Sequence, residues 1–217
     1  MPKKFKLGFM VGRFQLLHKG HESLINEGLE LCDRFVILLG NSEESRTKNN
    51  PFNFEERKEM IQKIYGDKVE VYPIISIGIG YVPEWGNYIM NTIKYYCGDY
   101  PDFVIRGADD GRSQWIDKSK YTQLTEYIIS RKLINISASD LRKTLKEVYR
   151  IKRNSSILTD TPRDPLAPIG SIYTGLDLSR SNLAKLPEYE EKLKINLNCI
   201  YNEEYLDRLG NIVYGCC

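Results

Sequence analysis

Short apolar runs alternate with segments whose apolar residues recur at helical spacing, and this alternation predicts the elements of the first half of the chain. Residues 7–11 read as a strand that stops at Gly12. Over residues 20–32, Leu24, Ile25, Gly28, Leu29 and Cys32 fall on one helical face. Residues 35–39 form a continuous apolar run, typical of a strand buried on both faces, ending at Gly40. A polar loop follows over residues 41–51. Asn53 with Glu56 three residues later is a capping-box signal, and Met60, Ile61 and Ile64 make the stripe of the helix it opens. Residues 69–75 predict a third strand, 85–96 a helix, and 103–105 a fourth strand ending at Gly107. Residues 127–129 predict a weaker fifth strand, and 139–149 a helix with Leu141, Leu145 and Val148 on one face.

Strands alternating with helices imply an α/β fold: a doubly wound, Rossmann-like parallel sheet with helices on both faces. Such sheets bind ligands beyond the carboxyl ends of their strands, where the strand order reverses. The pattern changes after residue 154. Residues 155–170 hold three prolines, 187–197 a charged helical stretch, and the end is rich in tyrosine. The expected division is a domain over 1–154 and a C-terminal extension over 155–217, which would cap the sheet, make an oligomer contact or form a lid.

Composition narrows the function. The net charge is +2, with Lys and Arg scattered among Asp and Glu, so a nucleic-acid binder living on phosphate contacts is not expected. No stretch approaches the ~20 apolar residues that span a bilayer, and no apolar run or cleavage site follows the basic start, so neither membrane nor secretion is expected. The five cysteines match no zinc pattern, and their odd number argues against a disulfide framework. A reducing cytoplasm is the simplest compartment.

The two histidines of the chain, His18 and His21, follow the first strand in the run Gly12-Arg13-Phe14-Gln15-Leu16-Leu17-His18-Lys19-Gly20-His21. A helix starting near Gly20 offers free backbone N–H groups and the positive end of its dipole, a ready anion site. Gly20 lets a phosphate approach the backbone, imidazoles three apart donate to one side, and Arg13 and Lys19 add charge. A metal site is not expected, because the pair has no third ligand of suitable spacing. The ordinary alternative is a turn that happens to contain histidines.

The run resembles the His-x-Gly-His signature of the nucleotidyltransferase superfamily. Its longer form, Gly-Arg-Phe-Gln-x-x-His-x-Gly-His, resembles the nicotinamide-nucleotide adenylyltransferases of the archaeal and bifunctional type. Leu16-Leu17 stand where those enzymes commonly have Pro-Phe, a change expected to affect loop stiffness more than chemistry. A second segment, Ile136-Ser137-Ala138-Ser139-Asp140-Leu141-Arg142, resembles the family's Ile-Ser-x-Thr-x-x-Arg motif. Hydroxyls and free N–H groups at a helix start, with an arginine one turn in, suit the β- and γ-phosphates of ATP.

The segment from Gly40 to Phe52 resembles the family's Gly-Ser-x-x-x-Ser-x-Thr-x-x-Asn-Pro-Phe loop, with Asn41 replacing Ser. The resemblance places Asn41 and Arg46 beside the acceptor nucleotide, and Trp85 on its pyridine ring. Glu43 and Glu44 are expected to be solvated, and Arg57 to make a helix-surface salt bridge. The resemblance further implies ATP contacts at Gly12, Arg13, Phe14, Lys19, Gly20, Arg106, Gly107, Ile136, Ser137 and Ser139, with His18, His21 and Arg142 as catalytic groups. Asp109 and Asp110 would hold a ribose or cap a helix.

The implied reaction transfers AMP from ATP to nicotinamide mononucleotide, giving NAD and pyrophosphate, with Mg²⁺ carried by the ATP. Family members are often homo-oligomers. The open alternatives keep the chemistry and change the acceptor (phosphopantetheine, flavin mononucleotide, or glycerol phosphate with CTP), or keep the binding and lose turnover, as in a nucleotide sensor. A class I aminoacyl-tRNA synthetase fragment fits poorly, since residues 117–120 match its second motif badly.

Overall fold

The computed structural model describes residues 2–47, 49–108 and 115–129. In chain order they form β1 (Phe5–Gly12), α1 (Lys19–Leu31), β2 (Cys32–Leu39), α2 (Phe54–Tyr65), β3 (Glu70–Pro73), α3 (Pro83–Cys97), β4 (Phe103–Gly107) and β5 (Thr125–Ile129). Every strand pairing is parallel, and the order across the sheet is β3-β2-β1-β4-β5. The chain builds outward from β1 to β3, then returns to lay β4 on the other side of β1. The order therefore reverses between β1 and β4.

Strand side chains alternate between two apolar layers, as a period of two requires. Met10, Phe35, Ile37, Leu39, Phe103 and Ile105 pack with Ile25 of α1 and with Met60 and Ile61 of α2. Leu7, Phe9, Val36, Leu38 and Val104 pack with Ile89, Met90 and Ile93 of α3 and with Trp115, Ile116 and Tyr121. The continuous run over residues 35–39 is thus a strand covered on both faces. α1 lies so close to β2 that a Cβ on Gly28 would stand 2.3 Å from the Phe35 ring.

The capping box forms as the sequence predicts. The Asn53 side chain accepts from the Glu56 N–H at 2.9 Å, and the Glu56 carboxylate accepts from the Asn53 N–H at 2.9 Å. Element ends differ from expectation for local reasons. Cys32 opens β2 rather than closing α1. β3 ends at Pro73, and the next residue still ties to β2, the Ile74 N–H donating to the Leu39 carbonyl at 3.0 Å. α3 starts two residues before Trp85, with Pro83 at its first position, where a missing N–H costs nothing. Among the described residues no helix is long and apolar enough to cross a membrane. The helix expected over 139–149, the boundary at 154 and the extension over 155–217 lie outside the described residues.

Candidate active site

The carboxyl ends of β1 and β2 feed two loops that lie side by side beyond the sheet. The first carries residues 13–18 into α1. Phe14 takes a left-handed backbone conformation, φ 49°, that bulky residues rarely adopt. Its ring fills the space a side chain at position 12 would need, since a Cβ on Gly12 would lie 2.8 Å from Phe14 Cε2. Gly12 is therefore required by packing. The Phe14 ring lies 4.4 Å from the His21 ring, and His21 stacks on His18 at 3.7 Å with 25° between planes. A file of three rings results, Phe14, His21, His18, at the opening turn of α1.

His18 is the residue before α1, and its carbonyl accepts from the N–H groups of His21 and Glu22 at 2.8 and 3.1 Å. The N–H groups of Lys19 and Gly20 precede the first intrahelical donor, that of His21, so they are the donors such a helix start offers an anion. Arg13 is exposed. Lys19 forms a 3.5 Å ion pair with Glu22 one turn later. Leu16 and Leu17 are buried in the core beside these groups. They anchor the loop by packing, so their role exceeds the loop stiffness expected of them.

The second loop joins β2 to α2. Asn41 and Arg46 also have left-handed backbones, φ 50° and 61°. With Phe14 they are the positive-φ non-glycine residues among the described residues, and all three lie on these two loops. Strained conformations of this kind concentrate at functional sites. Glu43 is exposed, as expected, while Glu44 is half-buried. Glu43 accepts from the Ser76 N–H at 3.0 Å, and Glu44 accepts from Asn41 at 2.9 Å and from Asn50. Glu44 thus holds the loop together, and Glu43 ties it to the segment after β3. Arg46 lies at the edge of the loop, its guanidinium bound to Glu56 at 2.8 and 3.1 Å.

Arg57 overturns its expectation most clearly. It is 0 % exposed, and among the described residues it forms no salt bridge. Nη1 donates to the carbonyls of Arg13 and Gly40, both at 2.7 Å, Nη2 to that of Asn41 at 3.1 Å, and Nε to that of Asn53 at 3.1 Å. Burial lowers its pKa to about 10, which still leaves it charged at neutral pH. Gln15 belongs to the same signature run. Its buried amide donates to the Phe52 carbonyl at 2.8 Å and accepts from the Phe52 N–H at 3.0 Å, joining the first loop to the end of the second.

The remaining predicted residues are dispersed along the same edge. Trp85 sits in the first turn of α3, its ring edge-to-face with Tyr81 at 5.1 Å and with Trp115 at 4.8 Å. Gly107 ends β4, at the point where the strand order reverses. Arg106 is drawn sideways to β5, where Glu126 accepts from it at 3.1 Å. Asp109, Asp110, Ile136, Ser137, Ser139 and Arg142 lie outside the described residues. Among the described residues no group of three or more His, Cys, Asp or Glu is placed to hold a metal ion.

A parallel sheet of this order, with a histidine-bearing helix start at its switch point, is found in more than one family, and sequence comparison decides among them. The cytidylyltransferase-like family profile matches residues 9–156, well over half of the chain. The chain belongs to this family of nucleotidyltransferases. The nicotinamide-nucleotide adenylyltransferase of Thermococcus onnurineus is 27 % identical over 190 residues, 78 % of this chain and 97 % of that protein. The enzyme of the same name from Saccharolobus solfataricus is 36 % identical over 88 residues, 38 % of this chain and 50 % of that one. Among solved structures, the bifunctional NMN adenylyltransferase/ADP ribose pyrophosphatase of Francisella tularensis, complexed with AMP and a manganese ion, matches with a TM-score of 0.53 and 16 % identity. That match covers 87 % of this chain and 56 % of that one, and it concerns the fold alone.

Proposed function

We propose that this nucleotidyltransferase joins the AMP part of ATP to nicotinamide mononucleotide, giving NAD and releasing pyrophosphate. The carrying observation is the stacked His18–His21 pair at the start of α1, at the switch point and beside the loop of Asn41 and Arg46. The names of the two archaeal relatives support the choice of acceptor.

An oxygen of the acceptor's phosphate attacks the α-phosphorus of ATP, and the bond from that phosphorus to the bridging oxygen of pyrophosphate breaks. The attacking oxygen is already ionised at neutral pH, so no base is needed. The work left to the protein is holding two anions in line and stabilising the charge that develops. The triphosphate lies over the N–H groups of Lys19 and Gly20. Nδ1 of both histidines is buried, so Nε2 is the nitrogen that meets the phosphates. Arg13 and Lys19 add positive charge, and Ser137, Ser139 and Arg142 hold the β- and γ-phosphates. Mg²⁺ enters chelated to ATP as part of the substrate. The acceptor lies against Asn41, Arg46 and Trp85, an indole face suiting a cationic pyridinium. Arg46 then exchanges its bond to Glu56 for the acceptor phosphate.

The test is pyrophosphate release from MgATP with nicotinamide mononucleotide, nicotinic acid mononucleotide, phosphopantetheine and flavin mononucleotide in turn, using a His18→Ala/His21→Ala protein as blank. Turnover with the nicotinamide nucleotide, lost in the blank, is expected. Turnover confined to phosphopantetheine or flavin mononucleotide would replace the acceptor and keep the transfer chemistry.

A further inference from the structure

The two loops of the site come from different strands, and each is held by its own element. In-line transfer requires the phosphate on one to meet the phosphate on the other at near-contact distance, where an error of about 1 Å costs roughly a hundredfold in rate. Something must set their spacing. The fully buried Arg57 spans the gap. One nitrogen of its guanidinium bonds at 2.7 Å to a carbonyl in each loop, Arg13 in the first and Gly40 in the second, and the other terminal nitrogen reaches Asn41 at 3.1 Å. Among the described residues it has no carboxylate at ion-pair distance; its hydrogen bonds go to backbone carbonyls, and the carboxylates of Glu43 and Glu44 favour its charge from farther off. Those carbonyls belong to the residue preceding the left-handed Phe14 and to the pair Gly40 and left-handed Asn41. Two weaker ties run parallel to it: the Gly40 N–H donates to the Gly12 carbonyl at 2.9 Å, and Gln15 exchanges bonds with Phe52.

We infer that Arg57 is a positioning residue for the transfer: its forked guanidinium fixes the distance between the triphosphate-binding turn and the acceptor loop. The inference rests on the functional reading above. Lysine keeps the charge and the apolar stem, but its Nζ ends one bond short of the Nη1 position that reaches both loops, and it has no second nitrogen for Asn41. Each substrate still meets its own loop in such a variant, so binding survives while alignment is lost.

The test compares Arg57→Lys with wild type in steady state on MgATP and nicotinamide mononucleotide, with Met60→Ala as a control. Met60 lies one turn on from Arg57 in the apolar cluster beneath α2, so its loss removes packing while leaving the Arg57 bonds to the loop carbonyls in place. Arg57→Lys is expected to lower kcat by roughly a hundredfold with both KM values within about threefold, the signature of a lost alignment rather than lost binding. Met60→Ala is expected to keep kcat at temperatures below its own melting. A kcat for Arg57→Lys near wild type, or no lower than that of Met60→Ala, overturns the inference. If Arg57→Lys does not fold, native-state hydrogen exchange of the wild type decides. The amides of Gly40 and Phe52, which bridge the loops, are expected to open as one unit with the same denaturant dependence; independent opening overturns the inference. Absence of wild-type turnover would instead remove the functional reading, and the positioning role with it.

Discussion

His18 and His21 stack at 3.7 Å and Phe14 closes the file, so neither imidazole can be removed without loosening the other. Each single alanine variant is expected to lose on the order of 10²–10³ in kcat, the usual effect of deleting one donor at a developing charge. The double variant is expected to lose less than the product, because the rings act as a unit. Steady-state kinetics of the three proteins measures both. Gly28→Ala addresses the seating of the helix that carries His21. The added Cβ meets the Phe35 ring, so a loss of about 1–3 kcal/mol is expected in urea unfolding. The histidine turn was legible in the sequence because two histidines, a glycine and two basic residues converge on one strand end. Arg57 was read as a surface residue. Its spacing held the contrary signal: it stands three before Met60 and four before Ile61, on the apolar stripe of α2. A charged residue on a buried stripe needs partners, and backbone carbonyls of distant loops leave no trace in a linear pattern.

At the level of elements, hydrophobic period located all five strands and the three described helices, while their ends were set by chemistry the period does not carry. β3 ended at Pro73, Pro83 advanced the start of α3, and Cys32 passed from helix to strand. The outer pairing of the sheet is tied by Arg34 on β2, whose guanidinium grips the Glu70 carboxylate of β3 at 2.8 and 3.0 Å. That hydrogen bond holds Glu70 below its ordinary value of 4.5, against a smaller opposing effect of burial. A carboxylate with a depressed pKa adds stability above its unfolded-state value, and that stability is lost as pH falls through the folded value. Because Arg34 is half exposed, the pair contributes only about 0.2–1 kcal/mol. Glu70→Gln is therefore expected to lower stability slightly at pH 7 and to converge on wild type as pH is lowered through the folded value, which lies below 4.5, as read from urea midpoints over a pH series.

For the molecule as a whole, the sequence supported a parallel sheet covered on both faces with ligands at the strand ends. The order β3-β2-β1-β4-β5 was not in it, because pairing partners depend on where each crossover returns. That order brings the separate motifs to one edge: it places the end of β1, with the histidine turn, between the loop after β2 and Gly107 at the end of β4. The second phosphate-binding motif, Ile136 to Arg142, lies beyond the described residues, and its part in the site rests on its resemblance to the family motif. The decisive measurement is a phosphorus NMR time course of the full chain with MgATP and nicotinamide mononucleotide. Resonances of NAD and pyrophosphate are expected to grow in equal amounts as ATP and the mononucleotide decline. ADP with phosphate, AMP with pyrophosphate, or an unchanged spectrum while ATP is bound would each show that the adenylyl group does not pass to this acceptor.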